Sequence, residues 1–258
     1  MFGPGSLTWR VNGEAVLLLG GGRALILQVA HPKVAAGVAA FSDYRRDPWR
    51  RLYRTLDTTL TIVFGDRSAS RDAAERLRRV HRGVAGKDDR GDPYRALDPE
   101  LLLWVHATLI DTSLTMYERY VGALDERDRE AYYEEMKSLG EAYSIPRETM
   151  PADFPSFRRY YAGMLAEHLR VTETTRDVTD AALRPELPSI AWPAVELLRL
   201  VTVGTLPPGL RDELGLDWGP GRERLLAASQ GAVRRLMPLL PALLHRFPQA
   251  RAGLLRAA

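Results

Sequence analysis

The chain has 258 residues, a hydrophobic share of 45% and a charged share of 27%, the make-up of a globular protein long enough to bury a full core or enclose a cofactor. It holds no cysteine, which excludes disulfides, thiolate metal ligands, iron–sulfur clusters and a cysteine nucleophile. The net charge is only +3 although 33 basic residues are Arg, and the basic residues alternate with acids, so no stripe for nucleic acid is formed and none is expected as a partner.

In chain order, the start "MFGPGSLTWRVNGEAVLLL" lacks a basic segment followed by an unbroken apolar run, so no signal peptide is expected. Asn12 and Glu14 read as the cap and acidic first turn of a short helix over 12–19. "LLLGGGRALILQVAHP" at 17–32 poses the question of a phosphate loop. Its three glycines miss G-x-G-x-x-G, no strand feeds them and no Lys-Ser/Thr pair follows. They read instead as a helix end and a close helix crossing, before helices at 22–30 and 33–41. Arg23 and Lys33 interrupt the best apolar run, so no transmembrane segment is expected and the location by default is cytoplasmic.

"DP" at 47–48 opens a helix over 48–64 that Gly65 closes. Arg51 and Thr55 share one face of it, and Arg54 with Thr58 a second. Threonines at 55, 58, 59 and 61 are unusual in a helix. They are either hydroxyls back-bonded to carbonyls in a crowded core or a polar patch offered to a ligand. Helix 70–84 carries His81 on the face of Ala74, Leu77 and Val84, which points it inward. The stretch 85–97 is polar and Gly/Asp-rich, an exposed connection. Asp98 and Pro99 start a helix over 99–119, where His106 faces inward between Leu103 and Ile110. Further helices are expected at 126–140, 153–168, 192–203 and 220–246, the last broken at Pro238 and Pro241, while 178–193 reads as a proline-punctuated crossing. The expected fold is therefore all-α, one helical domain over 1–258 with a ligand pocket between helices.

An inward histidine is either a hydrogen-bonded core residue or a ligand. His31, before Pro32, is either an acid/base or a cap, and His168 and His245 lie in polar or terminal contexts. Three stretches in order, "GGGRALILQVAHPKVAAGV...SDYRRDPWRRLYRT...FGD", "VHRGVAG" and "YRALDPELLLWVHATLIDT", resemble the MpaB-like oxygenases, relatives of the latex-clearing rubber oxygenases. The resemblance is dense over residues 13–120. It implies a haem b held between helices, with His81 as the axial metal ligand and Arg51 near it, while the residues themselves make Arg54 and His106 further cofactor-binding candidates. It implies catalytic roles for Arg51 and Thr55 on a small apolar substrate with O₂ or peroxide, and His31 is a further catalytic candidate on its own chemistry.

The chain departs from rubber oxygenases at two places. Arg54 stands where they carry a lysine able to close the sixth iron position, and a guanidinium stays protonated and cannot ligate. The glutamate proposed there as a base would fall near Ala35 or Ala36 and is absent, so polyisoprene is not the expected substrate. Two other classes stay open: a non-haem enzyme with His31 or His106 as acid/base and Arg51 as anion clamp, and a non-catalytic helical ligand-binding protein.

Overall fold

The computed structural model describes the backbone of residues 2–42, 48–185 and 189–257. In chain order the helices are α1 (Leu7–Asn12), α2 (Gly21–Val29), α3 (Pro32–Phe41), α4 (Pro48–Phe64), α5 (Arg67–Arg82), α6 (Pro99–Tyr120) and α7 (Glu126–Ala142). They continue as α8 (Phe154–Gly163), α9 (Glu173–Leu183), α10 (Trp192–Thr205), α11 (Pro208–Glu213), α12 (Pro220–Leu236), α13 (Ala242–His245) and α14 (Pro248–Ala257). The one sheet among the described residues is a hairpin of β1 (Ala85–Lys87) and β2 (Pro93–Arg95). The fold is all-α, as the periodicity requires.

The centre is α6, which buries residues on every side, Leu103, Trp104, His106, Ile110, Leu114 and Tyr117 among them. A helix apolar all round must be enclosed by others. It is packed by the 3-10 turn Ala15–Gly20, α2, α7 and α12. Trp104 stacks on Tyr161 with ring centroids 5.6 Å apart and donates its indole N–H to the Leu27 carbonyl at 3.2 Å. Trp9 meets Phe64 edge-on at 4.9 Å. These contacts belong to one apolar cluster that runs from Trp9 to Ala250.

Local signals set most helix starts. Asp66 accepts the Ala69 N–H at 2.8 Å and Asp125 that of Asp128 at 2.7 Å, while Thr172 and Thr175 form a reciprocal capping box. Asp98 and Pro99 open α6 as read from the sequence, although the Asp98 carboxylate turns back to the Arg95 N–H at 2.9 Å. The glycines at 20–22 are a packing device. A Cβ on Gly20 would lie 2.5 Å from Thr112 Cγ2, and one on Gly22 would lie 2.5 Å from Thr202 Oγ1. Only hydrogen at these positions lets α2 close on α6 and α10.

Several expectations are corrected. Asn12 caps nothing; it ends α1, started by Ser6, and its side chain accepts the Tyr132 hydroxyl at 2.8 Å. The following turn, Ala15–Gly20, is 3-10 rather than α. The connection at 85–97 is a hairpin, because Asp88 gathers the N–H groups of Arg90 and Asp92 and Gly91 takes φ +86°. The proline-rich stretch at 178–193 is helical as far as Leu183, since no proline falls inside α9. The helix expected over 153–168 ends as a π turn at Met164–His168, and that over 220–246 gives way after Leu236 to a 3-10 turn and α13.

Among the described residues no single helix is long and apolar enough to cross a membrane. The apolar pair Ala15–Val29 and Pro32–Phe41 bends by 107° between its halves.

Candidate functional site

α2, α4, α6, α7 and α9 enclose a cavity of about 170 Å³ that is partly open to solvent. Its walls are mainly apolar: Ala24 and Leu25 from α2, Leu56, Leu60 and Val63 from α4, Leu109 from α6, and Met136 and Leu139 from α7. Val178, Ala181 and Ala182 close it from α9. The short side chains of α9 and the hydrogens of Gly20 and Gly21 leave the room. Polar atoms enter from Gln28, Thr55, Thr59, His106, Thr112, Ser113 and Tyr143.

His106 is the imidazole on this wall, and the helical phase that placed it inward is right, since it is 2% exposed. Its Nε2 lies 2.8 Å from the Met136 carbonyl, which can only accept, so Nε2 carries the proton. Nδ1 is therefore a lone pair, buried and without a hydrogen-bond partner among the described residues. Burial drives the imidazole pKa down to about 4, with the bond to Met136 acting weakly the other way, so it is neutral at pH 7. The Tyr143 ring stands edge-on to it at 5.5 Å. Burial pushes the Tyr143 hydroxyl up to about 12, against the pull of Thr59.

The sequence-derived candidates separate in space. Thr55 joins His106 in the cavity, at its exposed rim. Arg51 and Arg54 fall on the first part of α4, whose side chains lie outside the described residues. His81 occupies the last turn of α5, half-buried, and burial lowers its pKa; it is not a lining residue of the cavity. His31 takes the N-cap position of α3 but makes no capping bond, and its buried Nδ1 has no partner among the described residues. Burial first, then His168 and Lys33, bring its pKa down to about 4 against Asp88. His31 likewise stands outside the lining.

α4 and α5 are joined through Gly65 and Asp66 and are in contact with each other. At ~1.5 Å per residue, Arg51 lies ~21 Å from Gly65 along α4 and His81 ~24 Å along α5. Thr55 lies one turn nearer the bend, on the cavity.

Behind the cavity wall stands an ion pair that the sequence reading passed over. Arg23, 4% exposed, donates to Asp111 Oδ2 at 2.6 Å, to Thr112 Oγ1 at 2.6 Å and to the Thr205 carbonyl at 2.9 Å. Arg158 completes Asp111 at 2.5 Å. An arginine inside an apolar glycine-led helix and an aspartate inside "LIDTSL" were the signals, because neither charge is tolerated in a core without the other. Tyr143 and the α9 residues gave no comparable signal.

Two curated relatives, an uncharacterized protein of Mycobacterium tuberculosis and one of Mycobacterium bovis, are each 28% identical over 230 residues, covering 84% of this chain and 87% of theirs. No solved structure matches the chain. The family model described as the catalytic domain of the ER-bound oxygenase mpaB/B' and rubber oxygenase matches residues 9–242, which takes in α2 to α9 and every lining residue of the cavity except Phe247. The chain belongs to this mpaB/rubber oxygenase family.

Proposed function

We propose that the protein is a haem-b-dependent oxidoreductase of the oxygenase kind, acting with O₂ or peroxide on a small apolar molecule. The observation that carries this reading is the match to the mpaB/rubber oxygenase family together with an apolar cavity between the helices that this match covers. An iron porphyrin needs a neutral imidazole, apolar walls and cations for its propionates. His81 and His106 are both biased to the neutral form, α2, α4, α7 and α9 supply the walls, and Arg51 and Arg54 fall on the first part of α4. His106, with its unpartnered Nδ1, is the donor that the cavity itself offers to such a group. Haem when bound would supply the redox-active iron at which O₂ or peroxide reacts.

His81 is the axial ligand on this reading, since the stretch "VHRGVAG" that carries the family resemblance contains it and burial biases its imidazole to the neutral form. His106 is the alternative, on the strength of its lone pair. Among the described residues no three His, Asp or Glu side chains converge, so these helices offer a single imidazole rather than a cage of protein ligands. The chain's own residues then do three things. Apolar side chains exclude water, the Thr55 and Thr59 hydroxyls orient a bound molecule at the rim, and Tyr143 stays protonated as a donor. Acid/base work by His31 or His106 is disfavoured, because at about 4 each has lost its proton well below neutral pH.

The test is the absorption spectrum of protein expressed with excess haem, with His81→Ala and His106→Ala beside it. A Soret band in the parent that His81→Ala abolishes, with helical circular dichroism retained, is the expected result. Loss only in His106→Ala would move the ligand to α6, and no band in the parent would overturn the haem reading.

A further inference from the structure

A second cleft of about 780 Å³ lies on the far side of the α2–α6 wall from the apolar cavity, between α6, α8 and the turn from α10 into α11. Five arginines reach it, at 23, 119, 129, 158 and 211, against three carboxylates, Asp111, Glu118 and Glu223. The carboxylates are all engaged. Asp111 is held by Arg23 and Arg158, Glu118 accepts from Arg129 at 2.7 Å, and Glu223 accepts the Trp218 indole N–H at 2.7 Å.

Two cations are left over. Arg119 and Arg211 have no carboxylate partner among the described residues, and Arg211 lies over the Trp218 ring at 5.3 Å with its Nε buried and unbonded. The Tyr161 hydroxyl, on a side chain 3% exposed, also borders the cleft without a hydrogen-bond partner in good geometry, although Arg23 and Asp111 flank it. A buried Arg211 Nε without an acceptor, in a cleft whose five arginines outnumber its three carboxylates by two, defines what fits there: a ligand with acceptor oxygens and two negative charges.

We infer that this cleft binds a small dianion, a dicarboxylate or a phosphate ester, with Arg119 and Arg211 as its charge partners and Tyr161 as a neutral donor. Planar guanidiniums suit both oxyanions, while Leu114, Leu165, Pro207 and Pro208 give an organic body apolar surface to lie on. Arg158 is shared between the cleft and Asp111, and Arg23 ties Asp111 to Thr112 on the cavity wall. The ligand therefore sits one ion pair away from the oxygenase cavity. This inference does not depend on haem.

The experiment is calorimetric titration of the full chain with succinate and, separately, with inorganic phosphate, at an ionic strength fixed with KCl. Saturable one-to-one binding of either is expected; succinate alone identifies a dicarboxylate site and phosphate alone a phosphate site. Arg119→Gln and Arg211→Gln should each weaken it by about tenfold or more, the usual scale for losing a charged hydrogen-bond partner. Arg222→Gln, which removes a surface arginine bonded to the Asp217 carbonyl, should leave it unchanged. The inference fails if neither anion binds saturably, if the double variant Arg119→Gln/Arg211→Gln binds as well as the parent, or if Arg222→Gln weakens binding equally.

Discussion

The charge buried behind the cavity shows how single residues divide the work. Asp111 is contacted by two arginines of opposite situation, Arg23 with a side chain 5% exposed and Arg158 with one 53% exposed. Removing the carboxylate leaves Arg23 inside the core with only Thr112 and a carbonyl, and an uncompensated buried charge typically costs ~3–5 kcal/mol. Removing Arg158 takes away a solvent-screened partner worth about 0–1 kcal/mol. Asp111→Ala should therefore lower the urea midpoint strongly and Arg158→Ala scarcely at all. Equal losses would show that Arg158 rather than Arg23 holds the carboxylate in solution. Each charge stood out in its own apolar segment, but their pairing was not legible because they stand 88 residues apart, whereas the inward phase of His106 between Leu103 and Ile110 is local to one helix.

At the scale of elements, the sequence told most where punctuation and periodicity agree. Asp98-Pro99 and Gly65 mark their helix ends because a missing N–H and a missing Cβ act on the backbone directly. α9 was missed because its prolines at 185 and 188 lie beyond its end, and a cavity wall of Val178, Ala181 and Ala182 looks like any small-residue helix until α2 is packed on it. The glycine run was legible as a crossing but not its partners, which come from α6 and α10. That crossing sets a prediction about elements. Gly20→Ala drives a methyl into Thr112 and Met116, and overpacking of this kind typically costs ~1–3 kcal/mol. Gly221→Ala, in the first turn of α12 with nothing within 4 Å, should instead leave stability unchanged or raise it by up to about 1 kcal/mol. Thermal melts of both variants check this, and a neutral Gly20→Ala would mean that α2 is free to move off α6.

Over the whole molecule, the helices that hide a ligand cavity also hide two imidazoles, and this ties the stability of the fold to pH. His31 and His106 both fall from the ordinary 6.5 to about 4, in each case with burial as the largest cause. Between those values the unfolded chain binds protons that the folded chain refuses. The slope of unfolding free energy with pH is then positive across the window, so stability is fully present above pH ~6.5 and declines as pH falls towards ~4. His81, shifted in the same direction by burial, adds to the same side. Carboxylates held low in the fold, such as Glu134 beside Lys137 and Arg147, lose their contribution further down the scale. Urea midpoints of the parent should therefore drop between pH 6.5 and 4.5, and His106→Phe, which keeps an apolar ring of similar size without the titrating nitrogen, should flatten that slope. Loss of the Met136 bond would lower its stability at pH 7, but this cost is the same at every pH and does not touch the slope. A variant with the parent's full pH dependence would show that the His106 pKa is the same in the folded and unfolded chain, so that burial does not hold its imidazole neutral, and the neutral imidazole on which the cavity's chemistry rests would have to be sought at His81.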